Sequence, residues 1–476
     1  MLAFALAGCG GSSLLSPSGA SLQPSSGTGS SPIQHVVMIV QENRSFDNLF
    51  ADFPGVNGGL YGYEKVKKGT KWVEKKVPLR ETTLLPSKNH DIGHCYYAFI
   101  QAYDSGKMDG FDYEPNGACP RSWTGGSPSK LYPYFYVNPT NIESYWDMAQ
   151  QYVIADNMFQ TQGSGSFSAH QDLIRGGSAL GGAYGTGSSL IDTPTGIPWG
   201  CDAPPGTTTD LITTSLKWEE DAGPLPCTKD FGYTSSSYAT LASEMDDNNV
   251  TWKYYTPCFK NSPGSCTPKC NPCAGSELNA FDVIWSVRNS KEWGTNVSMP
   301  ETNIFADISD GNLPAVSWVI PEDNNSDHLG EPKDLGPQWV ASVVNAVGGS
   351  KYWNSTAIII LWDDWGGLYD HVAPPFRDDQ GGLGFRVPML VVSPYSKLGS
   401  GSGGYVSHTQ YEFGSVLKYV EQNFGLPSLG TTDQRANSIS DTLNYNQNPR
   451  AFKSIPSSLN AQYFIAHQRP SHGDPE

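Results

Sequence analysis

The sequence predicts an α/β fold built on a mostly parallel sheet flanked by helices, and three observations lead there. Short apolar runs rich in β-branched residues recur along the chain, segments of helical periodicity lie between them, and two of the runs break off into polar residues that can do chemistry. The runs are HVVMIV (35–40), YVIAD (152–156), VTWKYY (250–255), AVSWVI (315–320), AIIILW (357–362) and VPMLVVS (387–393). Each is too short for a helix and too uniformly apolar for a half-exposed strand, which suits a strand covered on both faces. Helical patterns fall at 141–151, 238–247, 338–349 and 410–425.

At 476 residues the chain has room for one large catalytic domain, set here at 33–455, with a tail at 456–476. The 51 glycines and 35 prolines imply many turns, concentrated in two stretches, 175–235 and 256–275, expected to be loops or a small cap over the site. The formal charge of −17, from 47 acidic and 30 basic residues, opposes the phosphate backbone and excludes nucleic acid as an expected partner. Carboxylates that hold a cation would offset part of that excess.

The first nine residues, MLAFALAGC, resemble a lipoprotein signal with its lipobox, and residues 10–32 read as a Ser/Gly/Pro tether with too little apolar content to fold. An envelope protein, anchored through a lipidated Cys9 or secreted, is the expectation. Without Cys9, eight cysteines remain, an even number that suggests disulfides in an exported chain. Cys258, Cys266, Cys270 and Cys273 could also hold zinc, but they lack paired CxxC spacing, so disulfides are favoured.

The chemistry is expected where strands end, because the carboxyl ends of parallel strands open on one crevice. The run at 357–362 is followed by Asp363 and Asp364, and Gly366-Gly367 would let the chain turn so that both acids aim at one point. Two adjacent carboxylates repel unless a proton or a cation lies between them. The run at 35–40 is followed by Glu42 and Asn43, which add oxygen ligands of the same hard kind, so a divalent cation is the expected cofactor. Ca, Mg, Mn and Fe all suit such a set. A nucleophile is offered by GSGSFSAHQ (163–171), where Ser164, Ser166 and Ser168 compete and spacing alone does not choose.

Several stretches together resemble the bacterial phosphoesterase family of non-haemolytic phospholipases C and respiratory-burst-inhibiting acid phosphatases, a branch of the alkaline phosphatase superfamily. They are HVVMIVQENRSFDNLF (35–50), DIGHCYYAFIQAYDSGKMDGF (91–111), SGSFSAHQ (164–171), PWGCDAPPGT (198–207), SDHLGEPKDLGPQWVASVVNAV (326–347), WDDWGGLYDHVAPP (362–375) and GFRVPMLVVSPYSK (384–397). The resemblance implies an alkaline-phosphatase-like three-layer sandwich. It implies Glu42, Asn43, Asp363 and Asp364 as metal ligands, Ser166 as nucleophile, and His94 and His328 beside the phosphate as catalytic and substrate-binding groups. His170 and, more remotely, Asp202 would help bind substrate, and His371 reads as structural rather than as a ligand.

A phosphoserine intermediate would follow. Within that family the Ser-Phe-Ser-Ala-His motif and the short chain after the core favour an acid phosphatase acting on phosphomonoesters. The alternatives are a phospholipase C cleaving headgroup diesters and a catalytically silent surface-binding protein.

Overall fold

The computed structural model describes residues 31–117, 119, 128–181, 187–223, 227, 238–259, 278–378, 380–399 and 403–472. Its centre is an eight-stranded sheet of β1 (His35–Gln41), β2 (Val153–Ala155), β3 (Trp252–Tyr255), β4 (Val297–Ser298), β5 (Val316–Val319), β6 (Thr356–Trp362), β7 (Met389–Val392) and β8 (Tyr405–Ser407). The spatial order is β4-β3-β5-β1-β6-β7-β2-β8. Only β7 runs antiparallel to its neighbours, so the mostly parallel sheet expected from the sequence is what forms.

β1 and β6 are buried at every position, which requires cover on both faces. That cover comes from two separately packed helix groups. One joins α2 (Glu143–Gln151), α4 (Gly336–Gly348) and α6 (Ala461–Ala466), with Trp339 of α4 edge-on to Phe464 at 5.3 Å. The other joins α3 (Ser166–Arg175) to α5 (Phe413–Phe424). The segment after 455 thus docks on the core through the buried Phe464.

Parallel pairing of β1 with β6 runs from His35 opposite Thr356 to Gln41 opposite Trp362. Glu42 and Asp363 are the next residue on each strand, so the two acidic exits leave the sheet at the same level. The described part of the 175–235 region holds a small antiparallel sheet of Leu190–Pro194, Thr209–Ile212 and Trp218–Glu219. Disulfides join Cys95 to Cys119 and Cys201 to Cys227. Cys266, Cys270 and Cys273 lie outside the described residues, as do the lipobox and most of the tether. Among the described residues no helix is long and apolar enough to cross a membrane.

Candidate active site

The two strand exits lock onto each other. Asn43 has a left-handed φ of 61° and Gly366 and Gly367 have φ of 58° and 68°. A Cβ on Gly366 would lie 2.2 Å from the Asn43 carbonyl, so glycine is required for this approach. Asp363 Oδ1 accepts the Asn43 N–H at 3.0 Å and the Asp364 N–H at 2.7 Å, and Asp364 Oδ1 accepts the Gly366 N–H at 2.6 Å. Each carboxylate therefore spends one oxygen on backbone and turns the other toward the site.

Ser166 is the first residue of α3, and its hydroxyl lies 3.0 Å from Asp364 Oδ2 and 3.3 Å from Asn43 Oδ1. The geometry separates the three serines that spacing left open. Ser164 donates to Asp192 Oδ1, and Ser168 donates to the carbonyls of Ile191 and Asp192 at 2.9 and 2.6 Å. Those two hold the turn against the strand behind it, while Ser166 faces the acids. At the N-terminus of a ten-residue helix, Ser166 also sits in the partial positive charge of the first backbone amides.

His94 Nδ1 lies 2.6 Å from the Ile92 carbonyl, which places its hydrogen there, and Nε2 then accepts from Asn43 Nδ2 at 3.1 Å. This contact orients the Asn43 amide with its oxygen toward Ser166, a task an aspartate could not perform. His94 Nε2 is 3.8 Å from Asp364 Oδ2, and its ring lies 6.1 Å from that of His328. His328 Nδ1 in turn meets the Leu329 carbonyl.

His170 follows Ser166 by one helical turn and so shares its face. Its Nδ1 donates to the Tyr254 hydroxyl at 3.1 Å, because Tyr254 spends its own hydrogen on the Leu278 carbonyl at 2.6 Å. Nε2 is left facing Asp363 Oδ2 at 3.5 Å, both atoms buried and neither hydrogen-bonded. An imidazole nitrogen facing a carboxylate needs a positive charge between them, which either a proton on His170 or a bound cation supplies. Burial works to raise Asp363, but His170 and the bonds from Ser166 and the Asn43 N–H outweigh it and hold the carboxyl below its ordinary range. Asp364 is pushed up, first by burial and then by the charge of Asp363, against the pull of His94. Glu42, buried beside Asn43, acts with Asp363 on Tyr254, whose hydroxyl burial already raises.

Asp202 stands apart from the serine cluster in its described contacts. It pairs with Arg288 at 3.2 Å, which also holds the buried Asp282 at 3.0 Å, although neighbouring Trp199 packs edge-on to Phe167 at 5.2 Å. A second group, Asp47, Asp370 and His371, is close enough to share an ion. There Arg386 already supplies the positive charge, binding Asp370 through Nε at 2.9 Å and Asp47 through Nη2 at 3.1 Å, and His371 Nδ1 meets Asp47 at 2.6 Å. His371 is thereby a buttress of the turn.

Asp327, which by its place before His328 is expected to orient that loop, is anchored on three sides. This buried carboxylate, at a φ of 77°, accepts from Tyr145 at 2.8 Å and from Trp362 at 3.0 Å, and its carbonyl accepts from Arg44 Nε at 2.8 Å. Its place directly before His328 is the one signal the sequence offered.

A serine, a pair of acid-bearing strand exits and two histidines gather at the carboxyl edge of a parallel sheet, a set able to attack an ester, hold charge and move a proton. Residues 33–427 match the Phosphoesterase family, and the chain belongs to it. It is 24% identical over 92% of its length to a non-haemolytic phospholipase C of Pseudomonas aeruginosa, and 26% identical over 82% to one of Burkholderia pseudomallei. The chain spans 61% and 55% of the length of those two relatives. A phospholipase C B of Mycobacterium tuberculosis is 24% identical over 88% of this chain and 79% of its own length. A solved Vibrio parahaemolyticus protein of the alkaline phosphatase superfamily overlaps 89% of this chain and 75% of its own at 10% identity with a TM-score of 0.35, too loose a likeness to carry an inference.

Proposed function

We propose that the protein hydrolyses phosphoric esters through Ser166, with a phospholipid-type phosphodiester as the favoured substrate class. The observation that carries the reading is the Ser166 hydroxyl held between Asp364 Oδ2 at 3.0 Å and Asn43 Oδ1 at 3.3 Å. Ser166 Oγ attacks phosphorus, its proton passing toward Asp364 Oδ2, while the bond from phosphorus to the leaving alcohol breaks. His328 supplies the proton the departing oxygen needs, while neutral His94 holds the Asn43 amide, and water then cleaves the phosphoryl group from Ser166. The amides opening α3 bind the phosphoryl oxygens.

Glu42, Asn43, Asp363 and Asp364 are the residues that would hold a divalent ion, with His170 Nε2 against Asp363. Such an ion supplies charge stabilisation for the phosphoryl oxygens and a lowered pKa for the serine hydroxyl. Its identity among Ca, Mg, Mn and Fe is open to metal analysis of the purified protein.

The sequence favoured a phosphomonoesterase of the acid phosphatase kind. The phospholipases C among the relatives support the diester instead. A paired assay on p-nitrophenyl phosphorylcholine and p-nitrophenyl phosphate, for wild type and Ser166→Ala, separates the two. Diester turnover lost in the variant supports the proposal, monoester preference returns the protein to the phosphatase branch, and turnover that survives in the variant removes Ser166. The two disulfides accord with an exported protein.

A further inference from the structure

Outside the site, the hairpin of Tyr61–Lys68 and Lys71–Pro78 differs from the rest of the surface. It carries six lysines and two glutamates in a chain of net charge −17. Lys65 pairs with Asp104, Lys75 with Glu64, and Lys76 sits over the Tyr61 ring. Lys67, Lys68 and Lys71 at the turn have no anionic partner in the described ion pairs, and the register sets Lys67 opposite Trp72 and Lys68 opposite Lys71. Trp72 is 52% exposed, and Leu60, Tyr61, Tyr63 and Val73 are exposed as well, so this short segment gathers much of the large apolar surface left open to water.

The hairpin faces the outer stripe of α1 (Tyr96–Tyr103), and a cavity of about 440 Å³ separates Trp72 from Tyr97 and Ile100. α1 begins two residues after His94, so an eight-residue helix about 12 Å long connects this surface to the site.

We propose that the hairpin tip docks the protein on an anionic lipid surface, with Trp72 entering the interface and Lys67, Lys68 and Lys71 meeting lipid phosphates. The inference deepens the phospholipid reading and rests on it for its purpose, though the docking itself is tested without turnover. Lysines around an exposed indole are the chemistry of an interfacial anchor, since the ring takes an apolar body and a polar edge to the headgroup level. A nucleic acid would meet the net negative charge of the chain along its length, whereas a membrane needs to meet only the tip.

The test is flotation of the full chain carrying Cys9→Ser, which removes any lipid anchor, with vesicles of phosphatidylglycerol or of phosphatidylcholine at low salt. The wild-type surface should float with phosphatidylglycerol and not with phosphatidylcholine. Lys67→Gln/Lys68→Gln/Lys71→Gln together should weaken that partition roughly a hundredfold, and Trp72→Ala about tenfold. Turnover of water-soluble p-nitrophenyl phosphorylcholine should be equal in parent and variants, so loss of docking is read apart from failure of the esterase reading. Absence of flotation with phosphatidylglycerol, or unchanged binding in both variants, overturns the proposal. Equal affinity for a short DNA duplex with the same lysine dependence also overturns it, in favour of a general polyanion surface.

Discussion

Replacing Asp327 by alanine tests how the turn bearing His328 is held. The side chain is 2% exposed, and its removal strands the Trp362 indole N–H and takes the acceptor from the Tyr145 hydroxyl. Each buried donor left without a partner costs about 1–3 kcal/mol. Alanine must also occupy the left-handed φ of 77°, which costs about 1–2 kcal/mol more. Arg44, fully buried and lowered to about 10 by that burial, loses the carboxylate that most opposes the shift. The expected loss is therefore about 3–8 kcal/mol, against about 1–2 kcal/mol for Asp327→Asn, which keeps an acceptor and tolerates the backbone.

Burial sets the Asp327 carboxyl at about 6 in the fold, above its ordinary 3.8. Its contribution thus weakens stability as pH rises from about 4 to about 6, and both variants should flatten the pH profile in that window. Urea unfolding followed by tryptophan fluorescence measures the stability, and ester turnover reports on His328, with alanine expected to lower kcat more than asparagine. An alanine cost under about 1 kcal/mol, or equal costs for both variants, would refute this reading of the turn.

Other outcomes follow from the same geometry. Chelation should abolish turnover and a divalent ion should restore it, while Asp363→Asn should lose at least tenfold in turnover and respond less to added metal, as measured by titration of the metal-depleted protein. Glu301 is buried with neither carboxylate oxygen hydrogen-bonded, and burial raises it to about 8. Its charge is therefore destabilising as pH rises from about 4.5 through 8, so Glu301→Gln should leave stability unchanged at pH 5 and raise the melting temperature by a few degrees at pH 8.5. Cys95→Ser/Cys119→Ser opens a link of sequence separation 24 beside His94 and should cost about 3 kcal/mol in chemical denaturation, with a fall in kcat from the loosened histidine.

Much of this fold was legible because its central strands are uniformly apolar and end where the chemistry starts. The six runs named from the sequence all form strands of one sheet, and the exits of two of them join where the Asn43 N–H meets Asp363. What the sequence did not carry was pairing. That β1 lies beside β6 depends on crossovers hundreds of residues long, and only that neighbourhood brings Asn43 within reach of Asp363.

Spacing left the serine open for a related reason, and only the family resemblance pointed to Ser166. Ser164 and Ser168 differ from Ser166 through the strand behind them, at Ile191 and Asp192, which no local pattern announces. The strands at 297–298 and 405–407 are too short to give a period. The hairpin at 61–78 escaped notice because its lysines break the apolar alternation that marks a strand. The ion pair of Asp202 with Arg288 is likewise a contact that its sequence neighbourhood does not announce.

The account turns on Ser166 as the atom that takes the phosphoryl group. Acid quenching during turnover of p-nitrophenyl phosphorylcholine, followed by mass spectrometry of the peptide spanning residues 163–175, tests it most directly. The expected result is a phosphoryl adduct, with its headgroup if the diester is the substrate, on Ser166 and absent in Ser166→Ala. An adduct on Ser164 or Ser168, or steady turnover in Ser166→Ala, would contradict it.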